Sequence, residues 1–256
     1  MSSGSCRGDN CDPKPSPKEY SPAQFYKFHW QKNPEVSPNF LIYRWVTTIF
    51  IVGYAIVSIF EQDPLLEPTL FYPNYFIYLT NWVLWMCAIQ AILATWIVHY
   101  YQKNSKDVAG SENEGIRKLA KLYKVSNTIA VVTSITVTLV FWYALFDPYI
   151  DDTITIFTCT SHGVIAALVL LDALIVAHPF TLSDFYYVFI FSVTYAAFSF
   201  VYYHLGGTNR YGETFIYPIL DWEEPVCAFR TTVLVVLLQL FNHLVVWQIA
   251  SFVKGG

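Results

Sequence analysis

Charged residues are scarce in this sequence: they make up 13 % of its 256 residues, about half their usual share in soluble domains. The sequence also lacks a Gly-rich phosphate loop, a CxxC pair and an HExxH motif, so no motif for nucleotide binding, thiol redox chemistry or zinc proteolysis is present. Its first residues contain no apolar run typical of a signal peptide. We therefore expect no cofactor and no metal, and we expect the first apolar segment to direct membrane insertion.

Apolar residues, in contrast, make up 55 % of the chain and concentrate in six stretches of membrane-spanning length. A helix needs about 20 residues to cross the hydrocarbon core, and its backbone satisfies its own hydrogen bonds in lipid. The sequence therefore predicts an all-α bundle of six transmembrane helices within residues 40–253. The predicted spans are 40–60, 75–101, 125–146, 157–177, 185–205 and 229–253.

Basic residues are sorted between the segments that connect these spans. All but two of the 15 Lys and Arg residues precede the first span, follow the sixth, or lie between the second and third, with Arg44 counted at a border. The exceptions are Arg210 and Arg230. The positive-inside rule then predicts that both termini are cytoplasmic. We expect residues 1–39 to form a partly disordered cytoplasmic tail, in which the aromatic stretch 25–30 either lies along the membrane surface or is a poorly ordered linker.

The five cysteines cannot all form pairs, because their number is odd. Cys159 and Cys227 both lie near the predicted outer face of the membrane. A disulfide between these two residues and a pair of free thiols are the alternatives that the sequence leaves open.

Ionisable side chains inside the spans are costly in lipid and are therefore candidates for function. Asp172 lies in the fourth span, and His243 lies in the sixth, next to Asn242. Their distances from the span ends predict that Asp172 meets Asn242 or His243 in the cytoplasmic half of the membrane. Such a polar cluster would either tether helices or relay protons or ions.

A second group of polar side chains lies near the outer ends of the spans. Helical rise places Thr80 and His162 at one depth, roughly 7 to 8 Å below the outer interface, and His204 slightly shallower. A threonine hydroxyl becomes a nucleophile when a base takes its proton. A Thr–His pair in an outer-leaflet pocket would therefore suit acyl transfer from a lipid, with Thr80, His162 and His204 as candidate catalytic residues. The alternative is that these side chains only bond their own or neighbouring helices.

Three segments together carry a resemblance to a known family: YFIYLTNW at 75–82, TSHGVIAALVLLD at 160–172 and IYPILDW at 216–222. In residues, order and spacing they resemble the rolling stone family of multi-pass membrane proteins, which is named for a role in myoblast fusion. The resemblance implies a plasma-membrane protein with a role in cell–cell fusion or a related developmental process, and it implies no established chemistry.

A more distant resemblance is to the androgen-induced-gene membrane hydrolases, which cleave fatty acid esters of hydroxy fatty acids with an intramembrane Thr and His. Residues 78–80 (Y-L-T) match their threonine segment, and His162 matches the first histidine of their N-H-G-x-H segment. Ile165 stands at the position of the second histidine, which is catalytic in that family. The resemblance therefore implies lipid ester hydrolysis only if His162 or His204 accepts the proton instead.

A small transporter or channel that uses Asp172 and His243 is the third alternative. No span is interrupted by Pro or Gly at mid-depth, however, as the spans of transporters often are. The basic residues lie on loops beside lipid head groups, which argues against a nucleic-acid partner. The expected partners are membrane lipids, including a lipid ligand in the outer-leaflet pocket.

Overall fold

The computed structural model of the protein describes residues 22–33, 35–60, 73–104, 114–146 and 154–255. Six helices in this part of the chain are long and apolar enough to cross a membrane, which confirms the predicted all-α fold class. They are α1 (Pro38–Ser58), α2 (Leu79–Lys103), α3 (Glu114–Leu145), α4 (Ile156–Ile175), α5 (Leu182–His204) and α6 (Pro225–Gly255).

The helices follow the order of the predicted spans, and the largest difference lies at the start of α3. This helix begins at Glu114, whereas the predicted span begins at Val125. The intervening sequence is rich in Lys, Leu and Ala, which favour helix, and Lys118 pairs with Glu114 one turn away at 2.8 Å. Residues 114–124 are therefore helical and continuous with the span that follows them.

The helices α2 and α3 form the centre of the bundle. The helix α2 packs against α1 and α3, and α3 also contacts α4, α5 and α6. Cys87, Ala88 and Ala91 on α2 are buried beside Ala130 on α3, and small side chains let two helix backbones approach closely. The outward faces of α1, α5 and α6 carry exposed Ile, Val, Leu and Phe side chains, as expected of surfaces that contact lipid.

The two ends of the bundle differ in charge. We call the end at which residues 205–224 lie the loop end, and the opposite end, at which residues 22–37 lie, the tail end. The alternating directions of the helices place most described basic residues at the tail end and place Arg210 and Arg230 toward the loop end. Residues 1–21 lie outside the described part of the chain, so the disorder expected there stays a prediction.

The aromatic stretch at the tail end packs onto the protein and is therefore not a poorly ordered linker, whereas its position along the membrane surface stays a prediction. Phe28 forms an isolated antiparallel bridge with Val176, just after α4. Phe25 is buried, with its ring centroid 4.7 Å from that of His178 and 6.0 Å from that of Tyr123. The apolar side chains of this stretch bury area against the helix ends, which favours packing over a mobile linker.

The 205–224 loop folds back over the ends of α2 and α5. Gly206 has a φ of 77°, a conformation that glycine adopts without strain. A Cβ atom on Gly207 would lie 2.3 Å from the ring of Tyr202. The Tyr202 hydroxyl donates to Thr208 O at 2.9 Å, and the Trp222 indole donates to Ser199 Oγ at 3.1 Å. These contacts fix the loop against the helices.

Candidate functional site

A cavity of about 490 Å³ lies beneath the 205–224 loop, between α2, α3, α4, α5 and α6. Small-molecule sites commonly measure about 300–1,000 Å³. The cavity extends down to Gln239, near the middle of α6. Its walls are mainly apolar, with Val137, Val140, Ala196 and Val235 among them, and polar side chains lie at the mouth and at the floor. Such a lining suits an amphiphilic ligand better than a wholly polar one.

Thr80 and His162 both line this cavity, so the structure brings together the two residues that helical rise places at one depth. Thr80 lies in the first turn of α2. Its hydroxyl lies close to the phenol of Tyr217, which comes from the 205–224 loop. Burial raises the pKa of Tyr217, and the contact with Thr80 opposes this effect. The phenol therefore remains protonated at neutral pH.

His162 is held in the cavity wall by an irregular part of α4. It lies in the π-helical turn Thr160–Val164, with φ −110° and ψ 24°. Its ring stacks on Phe141 with a centroid distance of 3.6 Å and an interplanar angle of 3°. Trp142 Nε1 donates to His162 O at 2.7 Å, and Phe141 and Trp142 belong to a second π-helical turn, Phe141–Leu145. Single π turns in α-helices occur frequently at functional sites.

The chemistry available in the cavity is limited by how these groups are oriented. His162 Nδ1 is buried and has no hydrogen-bond partner among the described residues. No hydrogen bond joins His162 to Thr80 within the described residues. Ile165 is 2 % exposed and packs in the core of the bundle, outside the lining of the cavity. His204 is exposed at the loop end of α5, and its ring packs against Phe200 and Tyr203.

The intramembrane polar cluster has different members from those predicted. The carboxylate of Asp172 does not meet Asn242 or His243; it pairs with Arg44 Nη1 at 2.6 Å. Asn242 Nδ2 donates to Thr136 Oγ1 at 3.0 Å, and His243 Nε2 lies 3.2 Å from two backbone carbonyl oxygens near the start of α5. A guanidinium binds a carboxylate more strongly than a neutral imidazole or amide does, which accounts for the correction.

Further side chains complete the Arg44–Asp172 pair. Tyr43 OH donates to Asp172 Oδ1 at 2.7 Å, and Gln90 Nε2 donates to Asp172 Oδ2 at 2.9 Å and to Asn127 Oδ1 at 3.2 Å. The pair therefore ties α1, α2, α3 and α4 together. Arg44 is buried in α1 and does not lie at its border. The sequence does contain a signal for this pair, because Arg44 and Asp172 carry opposite charges and lie inside two different spans.

The cysteine alternatives are decided by the structure. Cys159 and Cys227 are free and exposed, so they form no disulfide with each other. Across the described ranges from 22 to 255, no group of three or more His, Cys, Asp or Glu side chains is arranged to hold a metal ion.

Comparison with known proteins places the chain in a family. The family model described as "Protein rolling stone" matches residues 20–253. The chain belongs to the rolling stone family. It is 28 % identical over 226 residues to "Protein rolling stone" of Drosophila melanogaster, and this match covers 84 % of the chain and 77 % of the fly protein. No solved structure is significantly similar to the chain.

Membership of the rolling stone family agrees with the architecture, because it is a family of multi-pass membrane proteins and the chain has six helices of membrane-spanning length. The range of the family match begins at residue 20. It therefore includes the packed aromatic stretch at the tail end as well as the cavity and the Arg44–Asp172 pair.

Proposed function

We propose that this rolling stone family member acts at the plasma membrane in cell–cell fusion or a related developmental process. The proposal is supported by the family match and by the name under which the family is known. We further propose that the tail end is cytoplasmic, because most described basic residues lie there. The loop end and the mouth of the cavity then face the outside of the cell.

The molecular activity that the geometry supports best is binding of a single lipid in the outer leaflet. The observation that carries it is the cavity of about 490 Å³, which has apolar walls, a polar mouth and polar groups at its floor. A lipid can place its chain among Val137, Val140 and Val235 and its head near Thr80 and Tyr217. The outer leaflets of two cells meet first when the cells fuse, so a protein that withdraws or presents a lipid there acts on the leaflet that must rearrange.

The test uses two neighbouring alanines of α5. Ala196 lines the cavity, whereas Ala197 is exposed on the outward face of the same helix. Cells that depend on this protein for fusion are complemented with Ala196→Phe, which narrows the cavity, or with Ala197→Phe. We expect Ala196→Phe to lose most of the fusion activity and of the lipid that copurifies, and Ala197→Phe to keep both at equal surface expression. Equal fusion by the two variants would refute the proposed link between the cavity and fusion.

A second candidate is lipid ester hydrolysis, which is favoured by the presence of Thr80 and His162 in one cavity. In this reaction His162 takes the Thr80 proton and Thr80 Oγ attacks the ester carbonyl. The alcohol leaves with the proton from His162, and water then releases the acid from the acyl-threonine. The missing hydrogen bond between the two side chains and the core position of Ile165 count against this candidate.

Labelling with a fluorophosphonate probe tests the hydrolase candidate. The candidate requires that the wild type is labelled, that Thr80→Ala and His162→Ala are not, and that Thr231→Ala is labelled as the wild type. Thr231 is the matched control, because it also lines the cavity but lies on α6. Labelling that does not depend on Thr80, or no labelling of the wild type, would exclude Thr80 as the nucleophile.

A further inference from the structure

One basic residue lies at the mouth of the cavity. Arg210 lines it, although most described Lys and Arg residues lie at the tail end. Its guanidinium carbon lies 5.0 Å from the centre of the Tyr78 ring, and its Nε lies 3.4 Å from the Tyr78 hydroxyl. Tyr78 also lines the cavity. A positive charge is therefore held against an aromatic ring at the entrance of a mainly apolar chamber.

The backbone around Arg210 is built to hold it in place. Asn209, directly before it, is 5 % exposed, and its Oδ1 accepts the backbone N–H groups of Tyr211 and Glu213 at 2.9 and 3.0 Å. Gly212 closes this turn with a φ of 85°. The backbone N–H of Arg210 lies 3.3 Å from the Tyr78 hydroxyl. The position of the guanidinium is thus set by the loop together with Tyr78, which directly precedes α2.

We infer that the cavity takes a single-chain lipid whose head group is an anion, either a carboxylate or a phosphate. Arg210 binds the head group, and the chain extends between α3, α5 and α6 toward Gln239. This inference rests on the proposed lipid-binding function and adds to it the chemistry of the head group.

The charge of the lining supports an anionic head group. No Asp or Glu is among the described residues that line the cavity, so an anion bound there meets no like charge from them. A guanidinium has five N–H donors in a planar fork that matches carboxylate and phosphate oxygens. Arg210 can therefore keep its contacts within the protein and still donate to a ligand. The neutral hydroxyls of Thr80 and Tyr217 provide further donors below it.

The size of the cavity supports a single chain. Its volume of about 490 Å³ lies well within the range for single small ligands, and a phospholipid with two full-length chains exceeds it. The width is set by Val140, Ala196 and Val236, which line the cavity from three different helices.

Binding to the full chain in nanodiscs of neutral phosphatidylcholine tests the inference. The probes are oleate, oleoyl-lysophosphatidate and, as the neutral probe, monoolein. We expect at least one of the two anions to bind about 10-fold or more tightly than monoolein, because a hydrogen-bonded charge contributes on this scale. Arg210→Gln should remove this preference without weakening the binding of monoolein, and Arg210→Lys should keep part of the preference. The ranking of oleate against lysophosphatidate identifies the head group as carboxylate or phosphate.

Arg230 provides the matched control, because it is the other basic residue toward the loop end, is exposed on α6 and does not line the cavity. Arg230→Gln should bind all three probes as the wild type does. The inference is overturned if the wild type binds monoolein as tightly as both anions, or if Arg210→Gln keeps the preference for an anion. Lipid binding itself still holds in these cases, provided that Ala196→Phe abolishes binding. Failure of the wild type to bind any probe, or full binding by Ala196→Phe, overturns the lipid-binding function itself.

Discussion

At the scale of single residues, the Arg44–Asp172 pair is the strongest constraint on how the helices pack. Both side chains are almost fully buried, and both would be costly in lipid if unpaired. Tyr43 and Gln90 supply further hydrogen bonds to the carboxylate. The pair fixes the position of α1 relative to α4, since neither charge has another described partner of opposite sign within 4 Å.

Removing only one charge of this pair should strongly destabilise the protein. We expect Arg44→Met or Asp172→Leu alone to lower the free energy of unfolding by about 3–5 kcal/mol, because each leaves a buried charge uncompensated. The double substitution should recover a large part of that loss. Unfolding of the purified protein in detergent, analysed as a double-mutant cycle, measures the coupling. Lys118→Met is the control, because its partner Glu114 is exposed and the loss should stay below about 1 kcal/mol. Additive effects of the two core substitutions would contradict the coupling.

The adjacent glycines of the 205–224 loop should differ in their response to alanine. Gly207→Ala places a Cβ atom 2.3–2.5 Å from three atoms of the Tyr202 ring, so the ring must move and its bond to Thr208 O is lost. Gly206→Ala meets no atom within 4 Å and costs only the strain of its positive φ, about 1–2 kcal/mol. We expect the larger loss of thermal stability from Gly207→Ala. Gly53→Ala in α1, which also meets nothing within 4 Å, should be neutral or slightly stabilising.

At the scale of elements, the depth of a side chain along its own helix was predictable, whereas its neighbours on other helices were not. Helical rise depends on the chain alone, and it places Thr80 and His162 at one level, where the structure has them lining one cavity. The partner of Asp172 depends on which helices lie beside α4, and no local pattern carries that information. The π-helical turns at Phe141–Leu145 and Thr160–Val164 were also missed, because one extra residue in a turn leaves the apolar pattern of a membrane helix unchanged.

The connection between α4 and α5 should make stability depend on pH through His178. This residue is 4 % exposed, and burial, aided by the charges of Lys254, Lys124 and Arg44, lowers its pKa to about 3. The unfolded chain binds a proton below about pH 6.5 and the folded protein does not. Stability contributed by neutral His178 is therefore present above pH 6.5 and is lost as the pH falls toward 3.

The measurement is the free energy of unfolding in detergent at pH 7 and pH 5. We expect the wild type to lose roughly 2 kcal/mol more than His178→Gln over this interval. Phe25→Ala removes the ring that packs on His178, so it should move the pKa back toward its ordinary value and reduce the loss. An identical pH dependence of wild type and His178→Gln would refute the role of this histidine.

At the scale of the whole molecule, the six spans were predictable because hydrophobic length is a property of each segment by itself. The first span was predicted at 40–60 and is observed at Pro38–Ser58, and the sixth was predicted at 229–253 and is observed at Pro225–Gly255. The cavity was expected only as a pocket around Thr80 and His162. Its extent could not be predicted, because the 205–224 loop and five helices form it together.

The free thiols at the loop end provide a test of the orientation. Cys227 lies in the first turn of α6 and Cys159 in the first turns of α4, and both are exposed. If the loop end faces the outside, a membrane-impermeant maleimide should label the wild type on intact cells without prior reduction. Cys159→Ser/Cys227→Ser should lose this labelling and regain some after permeabilisation, through the cysteines of the tail. The orientation would be shown to be the opposite if the wild type is labelled only after permeabilisation, or if the double variant is labelled equally on intact cells. The mouth of the cavity and Arg210 would then face the cytoplasm, and the proposed ligand would have to come from the inner leaflet.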